Sequence, residues 1–170
     1  DIYMEALDCF DFAISQVSGL ISETAQKGDV NGYTAYVAGY LDRVGVKRDG
    51  ATITPFVTNH DMDRAAGFLT VAGGNMQMAA NLYILGPGTP FIYYGEEIGM
   101  VGSGDDPNKR LAMYWNDGGM TEQPAGVTAI EYAYPSVDEQ AADPDSLLNY
   151  CRRLNQTRIA YPMIANGENE

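Results

Sequence analysis

The chain has 170 residues, 45% of them hydrophobic, with 12 tyrosines and a formal net charge of −13 from 23 acidic and 10 basic residues. That length suits one domain, or a piece of a larger one, with enough apolar side chains for a sizeable core. The acidic balance argues against a nucleic-acid partner, which needs a basic face. It suits a neutral ligand such as a sugar, or a solvated surface.

Residues 3–12 are rich in aromatics and read as a short strand. Ile14, Val17, Leu20 and Ile21 then recur at helical spacing, ending at Gly28. A second helix follows, with Asp29 as its cap and Val30, Tyr33, Val37, Tyr40, Leu41 and Val44 on its apolar face. Asp49-Gly50 marks a turn. Residues 53–57 form a short, β-branched apolar run, as expected of a buried parallel strand. It leads into Thr58-Asn59-His60-Asp61-Met62-Asp63-Arg64, which holds the chain's one histidine beside an aspartate. In strand–helix barrels chemistry sits just past such strand ends. The plainer alternative is a loop whose Asn59 and Asp61 cap the next helix, with a satisfied histidine.

Gly73-Gly74-Asn75 opens a helix over residues 76–85, which stops at Gly86-Pro87-Gly88. Met76 and Met78 read as packing. No charge occurs between Arg64 and Glu96, but the glycine breaks leave no unbroken stretch of the roughly 20 apolar residues a membrane span needs. Pro90-Phe91-Ile92-Tyr93-Tyr94-Gly95 reads as a compact strand with Pro at its start. Residues 99–127 form a long polar loop, of the kind that is functional or disordered. The last helix takes Asp143 as cap and Pro144 as its first residue, buries Leu147, Leu148, Cys151 and Leu154, and is closed by Pro162. Cys9 and Cys151 allow one disulfide or none, and a free buried thiol at Cys151 is favoured. The chain starts at Asp1 without Met or a signal peptide, so a mature form, a proteolytic piece or a cut-out segment is expected. Localisation stays open, an extracellular or cell-surface setting being slightly favoured. Strands alternating with helices imply an α/β fold with a parallel sheet.

Residues 88–100, Gly-Thr-Pro-Phe-Ile-Tyr-Tyr-Gly-Glu-Glu-Ile-Gly-Met, resemble the eighth-strand signature of the α-amylase family of glycoside hydrolases. Asn59-His60-Asp61 resembles that family's conserved segment at the end of the seventh strand. Arg110, Met113 and Trp115 resemble its Arg-x-Pro-Met-x-Trp segment, with Ala112 in place of the usual proline. Phe10-Asp11-Phe12 looks like its sixth strand, and Gln140, Asp143-Pro144, residues 146–149 and Arg158 look like its eighth helix. The motifs occur in register over nearly the whole chain.

The resemblance implies a partial TIM (β/α)₈ barrel of about three βα units with parallel strands. Residues 1–50 would hold the sixth strand and helices, 51–86 the seventh strand and helix, and 87–170 the eighth strand, long loop and last helix. The activity implied is retaining cleavage of α-linked glucans or maltooligosaccharides, which needs a nucleophile and an acid/base about 5–5.5 Å apart. Asp61 matches the family's third carboxylate, which holds hydroxyls of the ring being cleaved, and is the candidate catalytic residue. His60 matches the histidine that donates to the same sugar, while Asn59 matches a scaffold position. Asp106 and Arg110 resemble a pair that grips a glucose further along; the alternative is a solvated charged turn. Arg64 is read either as the partner of a nearby acid or as a surface helix residue. Tyr93, Tyr94, Glu96 and Glu97 read as barrel rim, with at most one of the two glutamates facing the cleft. Asp61-Met62-Asp63 falls far short of the six or more oxygens calcium takes, so no metal and no cofactor is expected in this segment. Calcium would belong to the part of the parent that is missing.

The family's nucleophile, an Asp two residues after an Arg, and its fifth-strand Glu find no match; Glu5 lies too close to the sixth-strand segment. The isolated chain is therefore expected to be inactive and, with open sheet edges, to self-associate. Two other readings stand: a non-catalytic carbohydrate-binding or scaffold relative, and an unrelated parallel α/β sugar-binding protein.

Overall fold

A computed structural model describes residues 8–46, 49–69 and 75–166. The expected strand over 3–12 therefore lies partly outside the described residues, and Glu5, Gly73 and Gly74 lie wholly outside them. Eight helices are described: α1 (Leu20–Lys27), α2 (Asn31–Gly45), α3 (Ala65–Phe68), α4 (Asn75–Ile84), α5 (Asp106–Lys109), α6 (Val137–Ala142), α7 (Leu147–Ala160) and α8 (Met163–Asn166), with a 3₁₀ turn at Glu96–Ile98.

No regular strand forms among the described residues, contrary to the expectation from the sequence. Three extended segments nevertheless lie side by side. The middle one, residues 53–57, bridges in parallel through Thr54 to Phe10. On its other flank Ile53 O accepts from Thr89 N at 2.9 Å and Pro55 O accepts from Phe91 N at 2.9 Å. A parallel bridge here would also need residue 55 to donate to Thr89 O. Proline has no N–H, so that bridge cannot form.

The helices cover one side of these segments. α4 packs on α1 and α7, and Ile14, Ile21, Tyr33, Val57, Tyr83, Ile84 and Leu147 are buried in one cluster. The opposite side is open: Phe10, Phe12 and Phe91 are 50%, 53% and 45% exposed, edge-on around or beside Phe56.

The helix limits depart from the sequence reading in three places. α1 begins at Leu20, because Gln16 has φ +73° and stops a helix from running back to Ile14. α7 is capped by Ser146, which accepts from Asn149 N at 3.2 Å, and not by Asp143. α6 was not expected. Its start carries a capping box: Ser136 Oγ accepts from Glu139 N while Glu139 Oε2 accepts from Ser136 N. Asp29 does serve α2, from one residue further out, through Asn31 N at 3.0 Å. Arg158 of α7 fastens the α4 end to the last extended segment by donating to the carbonyls of Ile84 (2.8 Å), Gly86 (2.7 Å) and Gly88.

Cys9 and Cys151 are not joined in a disulfide. Burial, reinforced by Glu97 and Glu96, pushes Cys151 up to about 12, so it stays a neutral packing group.

Candidate functional site

The site is built on the turn that follows the middle extended segment. Asn59 shapes it: its side-chain oxygen accepts from Asp61 N at 2.9 Å, an Asx turn that folds the chain back and projects His60 and Asp61 outward. Both side chains are open to solvent, 61% and 65% exposed, with His60 Nε2 3.4 Å from Asp61 Oδ1.

The second half of the site comes from α5. Asn108 is buried and locks this turn in place, its Oδ1 accepting from Thr128 N at 2.9 Å and its Nδ2 reaching Thr128 Oγ1 at 3.0 Å. Asp106 and Arg110 therefore sit on a fixed turn. Arg110 Nη2 donates to Asp61 Oδ1 and to Asp106 Oδ2, each at 3.0 Å, and Nε donates to His60 O at 3.2 Å. Lys109 Nζ reaches Asp61 O at 3.2 Å. All four candidate residues from the sequence are thus brought into one cluster. Asp63 turns away and accepts from Gly104 N at 3.1 Å.

Beneath the cluster lie two charged residues whose place the sequence did not reveal. Arg64 is 1% exposed and is neither a surface residue nor bonded to an acid among the described residues. Its own N–H donates to Gly102 O, Nε donates to Lys109 O at 2.9 Å and Nη1 to Tyr94 O at 2.7 Å. The guanidinium lies over the rings of Tyr93 and Tyr94, at 4.6 and 4.7 Å. Burial raises both Glu96 and Glu97, and the Arg64 charge pulls against that rise without overcoming it. Gly95 is required beside it: φ is +84°, and a Cβ there would come 2.4 Å from Met100 Sδ and 3.0 Å from Arg64 Nη1.

Glu96 is 5% exposed, on the helix side of the segments. It accepts from Thr58 Oγ1 and, at 3.4 Å, from Tyr83 OH. Burial pushes it up to about 7, outweighing the opposing pull of Thr58 and Arg64. Tyr93 and Tyr94 brace the loop, donating from their hydroxyls to Lys109 O (3.2 Å) and Leu111 O (2.8 Å).

A groove of about 240 Å³ opens beside His60, walled by Phe10, Phe56, Asn59, Phe91 and Tyr93. Its apolar floor with polar groups at one end suits a sugar face and its hydroxyls. A larger groove, about 490 Å³, lies past α3 against Asp63, Phe68, Ser103 and Glu131, and lacks both the imidazole and the cation. Glu97 faces a third hollow under α7, beside Leu148 and Arg152. Asp61 and Glu97 therefore do not share a cleft, an arrangement that on its own would also fit an unrelated sugar-binding fold. Among the described residues no group of three or more His, Cys, Asp or Glu is placed to hold a metal ion. No helix there is long and apolar enough to cross a membrane.

The family profile for the alpha amylase catalytic domain matches residues 10–167. The chain belongs to the α-amylase family. Among its relatives, Alpha-amylase 3 of Dictyoglomus thermophilum is 33% identical over 119 residues, 68% of this chain and 24% of the relative. Alpha-amylase SusG of Bacteroides thetaiotaomicron is 34% identical over 114 residues, 65% of this chain and 16% of the relative. Among solved structures, Eubacterium rectale Amy13B superposes with a TM-score of 0.91 at 32% identity, over 99% of this chain and 35% of that one. The α-amylase from H. orenii gives 0.76 at 33% identity, over 94% and 33%. The chain thus spans about a third or less of these relatives. The family membership overrides the reading as an unrelated sugar binder, and the three extended segments fit part of a TIM barrel.

Proposed function

We propose that this chain is the part of a retaining, α-glucan-active glycoside hydrolase that grips the sugar, while the nucleophile and the acid/base come from the rest of the barrel. The three extended segments and their helices, over 1–50, 51–86 and 87–170, are read as its sixth to eighth βα units. Asp61 holds hydroxyls of the ring that flattens toward an oxocarbenium ion, where hydrogen bonds to the 2-OH strengthen. An ionised carboxylate suits that task because charge-assisted bonds are the strong ones. His60 donates to the same ring, and Asp106 with Arg110 holds a glucose further along.

The observation that supports this most is the convergence of His60, Asp61, Asp106 and Arg110 at the mouth of the middle segment. The exposed phenylalanines supply a second support, since in the whole barrel that face would be covered. In isolation the chain is expected to self-associate through it, and light scattering reads this directly; a clean monomer counts against it.

The deciding assay compares the full-length protein that contains this chain with the chain alone, on starch and maltooligosaccharides. The full-length protein should cleave with retention and the 170-residue chain should not. Cleavage by the chain alone overturns the division of labour, and an inactive full-length protein supports a non-catalytic relative instead.

A further inference from the structure

We infer that Arg64 is a positioning residue that holds Arg110 against Asp61. This role rests on reading Asp61 and Arg110 as sugar-holding groups, and Arg64 itself reaches no sugar: it lies buried beneath them.

Arg64 ends the site turn and caps α3, while Arg110 ends α5, and the two halves meet 45 residues apart in sequence, at Arg64 and Lys109. The carbonyl that Arg64 Nε grips, Lys109 O, belongs to the peptide whose nitrogen is that of Arg110. Fixing that oxygen fixes the peptide plane, and with it the direction in which the Arg110 side chain leaves the backbone. Nη1 ties the same guanidinium to Tyr94 O, and Tyr93 OH reaches Lys109 O from the other side. One planar group thus references the α5 loop to both the Asp61 turn and the 93–95 segment. Only the rigid fork of arginine makes both bonds while lying on two rings; a lysine ammonium is a point charge on a flexible stem. Gly102 lets the two loops approach, since a Cβ there would sit 2.0 Å from Asn108 O.

The test uses the full-length protein, with Arg64→Met, Arg64→Lys, Arg110→Ala and the double variant Arg64→Met/Arg110→Ala, assayed on maltohexaose and examined by crystallography. Arg64→Met should lower kcat/KM by about a hundred-fold, the scale of an ångström misplacement, and Arg64→Lys should recover part of it. The double variant should be no worse than Arg110→Ala, because the effect runs through Arg110. In the Arg64→Met structure the Arg110 Nη2–Asp61 Oδ1 contact of 3.0 Å should be broken. Additive losses in the double variant, or an Arg110 still seated on Asp61, overturn the assignment. The crystallographic distance decides it even if the wild-type protein cleaves no glucan, which would sink the proposed function alone. Should Arg64→Met fail to fold, the structure of Arg64→Gln, which also lacks the fork, carries the same two outcomes.

Discussion

The charges above the 59–64 turn and those below it use the same groups in different surroundings. Above, His60, Asp61 and Arg110 have side chains 61%, 65% and 39% exposed, and the Asp61–Arg110 ion pair forms in water. Below, Arg64 and Glu96 are 1% and 5% exposed: carbonyls and ring faces hold Arg64, whose buried Nη2 has no hydrogen-bond partner among the described residues, and two hydroxyls hold Glu96. An exposed pair contributes at most about 1 kcal/mol, because solvent and salt compete for both partners. A buried polar group stripped of its partner costs about 1–3 kcal/mol. The upper layer can therefore exchange its partners at little cost, while the lower layer fixes where those partners stand.

The sharpest way to separate the layers is Asp61→Asn in the full-length protein. It should lower kcat by at least about a hundred-fold, the scale of losing one preorganised transition-state contact, and leave the melting temperature unchanged. A matching loss of stability would mean that the upper layer also carries the fold. Arg64→Ala, unlike Asp61→Asn, should also destabilise the fold in a urea titration, costing about 2–4 kcal/mol as the carbonyls of Tyr94 and Lys109 lose their donor.

Glu96 gives the comparison a pH axis. Thr58 and Tyr83 bond to it, and Arg64, Glu97 and Cys151 complete the charged and titratable groups around it. Its folded value, about 7, lies above the ordinary 4.5, so its contribution to stability is complete below about pH 4.5 and is lost as pH rises through 7. Wild type minus Glu96→Gln should therefore lose on the order of 1–3 kcal/mol between pH 5 and pH 8. A flat difference would place the Glu96 carboxyl in contact with water. The smallest stability effect is expected from Arg110→Ala: less than about 1 kcal/mol in a thermal melt, although its kcat/KM on maltohexaose should fall at least as far as that of Arg64→Met. A large stability loss would erase the distinction between the layers.

What could be read from the sequence follows the reach of each signal. α2, α4 and the buried stripe of α7 are local periodic patterns; the limits of α4 fall within a residue of expectation, while α7 starts three residues later than expected. The four candidate residues that converge were legible because each sits in a short motif. The strand ladder was not, since the donor missing at Pro55 matters only once Thr89 lies opposite it. α6 announced itself through Ser136 and Glu139, a capping pair hidden inside an otherwise polar loop. Arg64 had no local signal at all. A charged residue reads as exposed until Tyr93, Tyr94 and the Lys109 carbonyl close over it from 30 to 45 residues away.

The grip of Arg158 on Ile84, Gly86 and Gly88 bears on anyone who would transplant this segment into another barrel. A donor cassette cut ahead of that arginine would carry the 59–64 turn but lose the latch at its base. A cassette that keeps α7 whole brings its own latch along and asks the host for none.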